Sequence, residues 1–208
     1  MCAKVYEKLL SFLLAKEREN RRLKSIILAS ASPRRKEIFT LADLSFEVLP
    51  SSVEEVVTKE IPHEVVMELA SQKAWDIWEK TKKDRMVVGA DTVVACDGKI
   101  LGKPKDEEDA FKMLSVLSGR THQVYTGVSL IWKDREHTFY EETEVTFYPM
   151  TEEEIFKYIS TKEPMDKAGA YGIQGKAAAF IRGICGDYYN VVGFPIARFL
   201  QEVRQLED

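Results

Sequence analysis

The spacing of apolar residues along the chain predicts helices and strands that alternate over most of its length. Short apolar runs and two-residue alternation predict strands, whereas apolar residues three and four positions apart predict amphipathic helices. By these patterns, strands are predicted over residues 26–29, 46–49, 86–89, 92–95, 99–101, 121–132 and 136–147. Helices are predicted to begin at Pro33 and to cover residues 62–80, 106–117, 151–160 and 195–206. Hairpins in the middle of the chain give antiparallel strand pairs, whereas strands separated by helices can pair in parallel. We therefore predict an α/β fold with a mixed sheet.

Residues 1–24 have a separate pattern, an apolar stripe at helical spacing that contains Tyr6, Leu9, Leu10, Leu13 and Leu14. We predict a helical extension over residues 1–24 and a single domain over residues 25–208. The apolar run within the extension, residues 9–15, is far shorter than the roughly 20 residues that span a bilayer. No small-residue cleavage site follows it, so neither a signal peptide nor a membrane span is expected. A packing or oligomer contact, a partner or membrane surface, and partial disorder are the interpretations open for this segment.

Charge and composition narrow the classes of partner. Among 208 residues, 30 Lys and Arg stand against 34 Asp and Glu, and 45% of residues are apolar, as in a globular domain. Residues 1–24 carry a net charge of +4 within a total of −4, so residues 25–208 carry −8. We therefore expect no binding to nucleic acid. Three scattered cysteines, Cys2, Cys96 and Cys185, favour neither a disulfide framework nor a thiolate zinc site and fit a reducing, cytoplasmic location.

The first candidate site is the junction between the strand over residues 26–29 and the helix that begins at Pro33. Its sequence is SASPRRK over residues 30–36, in which Ser32 is expected to cap the helix. Arg34, Arg35 and Lys36 fall in the first helical turn, where the helix dipole disfavours each cation by roughly 0.3–1 kcal/mol. Free backbone N–H groups, serine hydroxyls such as that of Ser30 and guanidinium groups together favour a bound phosphate. The alternative is an exposed, basic start to a helix.

Two acidic positions are candidates for general base catalysis or metal binding. Asp91 follows the apolar run over residues 86–89 and is expected at a strand end, on the rim of the sheet. It could hold Mg²⁺ or act as a general base, and the alternative is a turn-capping carboxylate. Glu54 and Glu55 are either a solvated acidic pair or the source of a second metal carboxylate. The three histidines lack the spacing of metal ligands and are predicted to be structural or surface residues: His63, His122 and His137.

Three lysines and a glycine-rich segment complete the candidates. Lys73 lies within an apolar helical pattern and either reaches inward or extends along the surface to water. Lys103 precedes a proline that favours an extended backbone. We predict a loop over residues 164–175, which places Lys167 and Gln174 where a backbone rich in glycine can approach a ligand closely. The segment fits neither a P-loop nor a dinucleotide-binding motif.

These residues together resemble the Maf family of nucleoside triphosphate pyrophosphatases over about residues 25–205. The matching stretches are LASASPRR (28–35), GADTVV (89–94), LSGR (117–120), the 163–175 loop and GDYYNVVGFP (186–195). The resemblance implies a curved mixed sheet in two lobes, flanked by helices, with a cleft between the lobes. It also implies hydrolysis of a nucleoside triphosphate between the α and β phosphates. Arg34, Thr92 and Gln174 match the subgroup that acts on dTTP and UTP.

The resemblance further implies a role for each candidate. Arg34, Arg35, Lys103 and Lys167 are expected to bind phosphates, with a hydrogen bond from Ser30. Asp91 and Glu55 are expected to hold Mg²⁺ or Mn²⁺, and Asp91 to accept the proton of the attacking water. Lys73 is expected to orient that water or to stabilise developing charge. Gln174 can match the donor and acceptor edge of uracil or thymine. A homodimer is also expected.

Two other functions remain open at this point. A pyrophosphatase for non-canonical purine nucleotides is an enzymatic alternative. A nucleotide-binding regulator of septum formation, with little turnover, is the non-enzymatic alternative. A third class, nucleic-acid binding, is disfavoured because the chain beyond residue 24 is acidic and no aromatic residues alternate with its basic ones.

Overall fold

The computed structural model of the protein describes residues 26–206, so the helix predicted over residues 1–24 lies outside the described residues. The strands are β1 (Ile26–Leu28), β2 (Phe46–Val48), β3 (Met86–Cys96), β4 (Lys99–Leu101), β5 (Thr121–Trp132), β6 (Arg135–Phe147) and β7 (Ile181–Cys185). The helices are α1 (Pro33–Leu41), α2 (Pro62–Lys80), α3 (Glu107–Leu117), α4 (Glu152–Ser160), α5 (Tyr188–Val192) and α6 (Ile196–Gln205). Short 3₁₀ turns cover Glu163–Asp166, Ala168–Ala170 and Lys176–Ala179.

The strands form one mixed sheet, which confirms the predicted α/β class. Their order is β2-β1-β3-β5-β6-β7, and β4 pairs with β3 as a hairpin. β1 runs parallel to both of its neighbours, and every other pairing is antiparallel. The helices flank this sheet.

β3 is one continuous strand of 11 residues, so the prediction of two strands, 86–89 and 92–95, separated at residues 90–91, is wrong. The reason is the pairing with β5, which runs without a break from Val87 opposite Ile131 to Ala95 opposite Gln123. Within β3, only Met86–Val88 pair with β1. The expected position of Asp91 at a strand end is therefore corrected: Asp91 lies within β3, three residues beyond the last residue paired with β1.

The sheet spans two lobes because β3, β5 and β6 are long enough to cross two separate apolar cores. In the first core, Phe39 of α1 packs edge to face against Phe194 and, at a tilt, against Phe199 of α6. In the second core, Leu114 of α3 packs with Phe147 of β6 and Tyr171. A third cluster, around Trp78, covers the opposite face of the sheet under α2.

Helix α2 lies directly against the sheet at two glycines. A Cβ atom at Gly89 would lie 2.2 Å from the carbonyl oxygen of Ala70, and one at Gly127 would lie 2.3 Å from that of Val66. Neither distance is compatible with a side chain. Glycine at these positions therefore sets how closely α2 approaches β3 and β5, and with it the position of Lys73.

Residues 166–193 contain more regular structure than predicted. Strand β7 pairs antiparallel with the edge of β6, and the short helix α5 follows it. The residues of β7 are mostly exposed and do not alternate between apolar and polar, so the strand gives no periodic signal. Among residues 26–206, no helix is both long and apolar enough to cross a membrane.

We predict that Gly127→Ala destabilises the protein by about 1–3 kcal/mol because the added methyl group forces α2 away from β5. Gly183→Ala is the matched control, since a Cβ atom there has no neighbour within 4 Å. The free energy of unfolding of the Gly183→Ala variant should differ from that of the parent by less than about 0.5 kcal/mol. Urea unfolding measures both, and equal stability of the two variants would contradict the close approach of α2.

Candidate active site

A cleft of about 700 Å³ opens beyond the carboxyl end of β1, between the two lobes. This volume falls within the range of small-molecule and cofactor sites. Ten of the residues singled out from the sequence line it, whereas Lys36 and Glu54 do not: Ser30, Arg34, Arg35, Glu55, Lys73, Asp91, Thr92, Lys103, Lys167 and Gln174. Long-range folding therefore brings together positions separated by up to 144 residues along the chain.

The start of α1 forms one wall of the cleft. Pro33 occupies the first turn as predicted, but the expected cap by Ser32 is wrong, because its side chain makes no capping hydrogen bond. Instead, the backbone N–H of Ser32 donates to the Ser30 hydroxyl at 3.3 Å. The first turn of α1 also contains no acidic residue. This helix N-terminus therefore has neither a side-chain cap nor an acidic side chain to complement its dipole, which favours an anion at this end.

Arg35 joins three parts of the cleft wall through one guanidinium group. Its Nε donates to the carbonyl oxygen of Gly193 at 2.9 Å, its Nη1 to the Ser30 hydroxyl at 3.0 Å and its Nη2 to the Thr92 hydroxyl at 3.1 Å. Burial lowers the pKa of Arg35, and the nearby Asp91 carboxylate opposes that effect. Arginine stays charged regardless. A guanidinium has five N–H donors, so these bonds use three and leave two for a ligand.

Two carboxylates and one ammonium group form the floor of the cleft. Lys73 Nζ lies 2.5 Å from Asp91 Oδ1 and 3.0 Å from Glu55 Oε1. The Lys73 and Asp91 side chains are about 15% exposed, whereas that of Glu55 is 48% exposed. Lys73 thus reaches inward from α2 rather than extending to water. Asp91 pairs with a cation, and the structure does not show it as a turn cap.

Glu55 belongs to an irregular segment that side chains of α2 hold in place. Gln72 bonds both backbone groups of Val56, accepting from its N–H at 3.0 Å and donating to its carbonyl at 2.6 Å. Glu68 accepts from the N–H of Thr58 at 2.9 Å, and Asp76 accepts from that of Ser52 at 3.1 Å. Sequence reasoning missed these three residues. Their four-residue spacing on one edge of a predicted helix is the signal that identifies them.

The donor set at Glu55 and Asp91 fits a divalent cation. Both carboxylates already bind one cation, the Lys73 ammonium group, and offer only oxygen ligands, which Mg²⁺ and Mn²⁺ prefer. Within residues 26–206, no group of three or more His, Cys, Asp or Glu side chains is placed to hold a metal. A metal at this pair would therefore need further oxygens from the ligand or water, which is how Mg²⁺ is usually bound beside phosphates.

On the opposite wall, the Asp166 carboxylate contacts one cation from each wall. Lys167 Nζ lies 2.6 Å from Asp166 Oδ1, and Arg34 Nη1 lies 3.7 Å from Asp166 Oδ2. Burial acts to raise the pKa of Asp166, but the two cations outweigh it and hold that pKa below its usual value. The first helix turn and the glycine-rich segment thus meet across the cleft through this carboxylate.

The remaining predicted residues differ in how firmly they are held. The Thr92 hydroxyl is bound to Arg35 and lies 2.9 Å from the Thr126 hydroxyl, so it helps to fix that guanidinium. The side chains of Lys103 and Gln174 are exposed in the cleft. Exposure leaves their polar groups available to a ligand.

A buried pair behind the cleft was not part of the predicted site. Tyr171 lines the cleft, and its hydroxyl lies 2.8 Å from His122 Nε2. His122 is fully buried, which confirms its predicted structural role. Burial lowers the pKa of His122 to about 4. The imidazole is therefore neutral at physiological pH and supports the segment that carries Lys167.

The fold and the site define a class: an α/β protein whose cleft is lined by Arg34, Arg35, Lys103 and Lys167 and by two carboxylates that one lysine links, an arrangement that favours an anionic ligand. The Maf-like protein family model matches residues 25–206. The chain therefore belongs to the Maf-like family. A dTTP/UTP pyrophosphatase from Bacillus cytotoxicus is 56% identical over 186 residues, covering 89% of this chain and 97% of the relative. A dTTP/UTP pyrophosphatase from Agathobacter rectalis is 54% identical over 201 residues, covering 88% of this chain and 98% of the relative.

Similarity to solved structures is weaker. A HAM1 protein from Coxiella burnetii has a TM-score of 0.48 and 15% identity, covering 87% of this chain and 96% of its own.

We predict that acid destabilises the protein through His122. Above pH 6.5 the imidazole is neutral in both the folded and the unfolded state, so it does not change the free energy of unfolding. As the pH falls from 6.5 towards 4, the unfolded state binds the proton first, and about 3 kcal/mol of stability is lost.

Urea unfolding measured between pH 7 and pH 4 tests this. His122→Gln should lose that part of the pH dependence. His63→Gln, which removes a different histidine, should keep it. The same acid-dependent loss in the His122 variant and the parent would contradict the assignment.

Proposed function

We propose that the protein hydrolyses dTTP and UTP to the nucleoside monophosphate and pyrophosphate with the help of a divalent cation. The observation that carries the proposal is the cleft itself, where the linked Asp91, Lys73 and Glu55 face the cations of both walls. The family membership and the names of relatives at 54–56% identity support the choice of reaction and substrate.

The cations of the cleft neutralise the triphosphate. Arg34 and Arg35 approach it from the start of α1, and Lys103 and Lys167 approach from the other lobe. Cleavage of a phosphoanhydride depends mostly on positioning and on stabilisation of charge, so these groups contribute to rate as well as to binding. The Ser30 hydroxyl, held by Arg35, lies beside the same anion site.

Asp91 accepts the proton of the attacking water, and Lys73 orients that water or stabilises the developing charge. The pair is 2.5 Å apart, so each group fixes the other before substrate arrives. Asp91 and Glu55 would hold the Mg²⁺ or Mn²⁺. A divalent cation held there neutralises charge on the phosphate oxygens.

Gln174 selects the base. Its amide offers one acceptor and two donors, which match the N–H and carbonyl edge of uracil or thymine. Cytosine presents the reverse pattern at those atoms. An amide held in the orientation that matches uracil therefore leaves polar groups unmatched with cytosine, and such a pairing is strongly disfavoured. The cytoplasmic location and the homodimer stay predictions, as do the parts of Arg34 and Thr92 in substrate choice.

We expect pyrophosphate release from UTP and dTTP to require a divalent metal and to exceed that from CTP and ITP. Asp91→Asn should lower the rate at least about 100-fold, as loss of a general base does. Asp97→Asn, the same change in the β3–β4 turn, should leave the rate unaltered. A coupled pyrophosphate assay measures each reaction.

Faster turnover of ITP than of UTP would favour a purine pyrophosphatase instead. Binding of UTP without product after prolonged incubation would favour a nucleotide-sensing regulator. An undiminished rate in Asp91→Asn would remove Asp91 from the proposed mechanism.

For Arg35→Lys, we expect the KM for UTP to rise about ten-fold or more, which corresponds to about 1.4 kcal/mol. A lysine ammonium cannot reproduce the planar fork that bonds Ser30, Thr92 and Gly193 together. Lys36→Gln is the control, because Lys36 is an exposed cation on the same helix outside the cleft lining. Equal KM values for the two variants would contradict the role of Arg35.

A further inference from the structure

The segment that carries Lys167 and Gln174 is built from short turns rather than from a strand or a long helix. It leaves the 3₁₀ turn Glu163–Asp166 and ends at the 3₁₀ turn that begins with Lys176. Gln174 is exposed near the far end of this segment. An exposed side chain on such a segment selects a base only if the backbone beneath it is fixed.

The Glu163 carboxylate fixes that backbone. It accepts a hydrogen bond from the backbone N–H of Lys176, with distances of 3.0 Å to Oε1 and 3.1 Å to Oε2. The Tyr158 hydroxyl donates to the same Oε1 at 3.0 Å. The hydrogen bond between Glu163 and Lys176 thus closes residues 163–176 into a ring.

The same residue also holds the start of the segment. The backbone carbonyl of Glu163 accepts a hydrogen bond from Lys167 Nζ at 2.7 Å. Its side chain therefore fixes the end that carries Gln174, while its main chain fixes a phosphate-binding lysine. A substitution of the Glu163 side chain removes the bond to the Lys176 N–H and leaves in place the backbone carbonyl that binds Lys167.

Gly175 shows how closely the carboxylate fits. A Cβ atom at this position would lie 1.9 Å from Glu163 Oε1. The φ angle of Gly175 is −101°, which any residue adopts. Glycine is therefore required here by the carboxylate beside it and not by the backbone conformation.

Tyr158 anchors the carboxylate from the helix side. The tyrosine is buried in α4, and burial together with the Glu163 charge raises the pKa of its hydroxyl. The hydroxyl therefore keeps its proton and remains a donor. This contact links the ring to the second apolar core, to which Tyr158 belongs.

We propose that Glu163 is a positioning residue that holds Gln174 in register with the pyrimidine base and so sets the discrimination between uracil and cytosine. This inference rests on the proposed function, because it assigns to Glu163 the orientation of the group that selects the base. Glu163 does not itself meet the substrate.

The test compares kcat and KM for UTP and CTP in Glu163→Ala, Glu163→Gln and Gly175→Ala. In Glu163→Ala and Gly175→Ala, the ratio of kcat/KM for UTP to that for CTP should fall about ten-fold, mainly through a higher KM for UTP. Glu163→Gln keeps an acceptor oxygen and should restore part of the ratio. Lys176→Ala keeps the backbone N–H that Glu163 binds and is the matched control, with an unchanged ratio.

A double variant adds a test that does not depend on either residue alone. In Gly175→Ala the new methyl group displaces the carboxylate, so Glu163→Ala combined with Gly175→Ala should be no worse than Glu163→Ala by itself. Additive losses would overturn the inference. Hydrogen exchange of the Lys176 amide in the ligand-free protein should also be faster in both single variants.

The outcomes separate the two proposals. If the parent discriminates UTP from CTP and Glu163→Ala discriminates equally well, this inference fails and the proposed function stands. If Glu163→Ala lowers kcat for both nucleotides by the same factor, Glu163 has only a general structural role and the inference fails. If the parent does not hydrolyse UTP, both proposals fail.

Discussion

The close contact between α2 and the sheet determines the geometry of the cleft. Because Gly89 and Gly127 carry no side chain, the helix backbone lies against β3 and β5. Lys73 extends from that helix at a distance where its ammonium group meets Asp91 of β3. The polar edge of the same helix holds the segment that supplies Glu55. One packing contact between backbones thus places all three groups on the cleft floor.

Electrostatic balance in the cleft explains how an acidic chain can bind a polyphosphate. The cations are concentrated on two walls, and several are already paired within the protein: Lys73 with two carboxylates, and Arg34 and Lys167 with Asp166. A phosphate group bound at Arg34 and Lys167, as proposed, would compete with Asp166 for the same donors. Net charge therefore describes the affinity of the whole surface for nucleic acid, and it says little about a site that holds one triphosphate.

The amino-acid sequence predicts the features that depend on local patterns. Helix α2 begins and ends where its apolar periodicity does, and the capping box at Thr151 and Glu154 opens α4 as its spacing indicates. The features that depend on distant partners could not be predicted in this way. β3 continues through Gly89 and Asp91 because β5 pairs with it, and β7 forms by antiparallel pairing with the edge of β6.

The same division applies to the site. Charged and polar residues in unusual positions, such as Arg34, Arg35 and Asp91, can be recognised from sequence and from family resemblance. Glu163 lies at the start of a stretch that resembles the family, but its positioning role could not be recognised, because that role depends on contacts with Tyr158 and Lys176. Likewise, Ser32 has the sequence of a helix cap, but in the structure its side chain does not cap α1.

The most direct test of the proposed reaction is to identify the products formed from UTP by phosphorus NMR in the presence of Mg²⁺ or Mn²⁺. We expect UMP and pyrophosphate in equal amounts, with no UDP. Formation of UDP and orthophosphate, or UTP that remains intact with either metal, would contradict it.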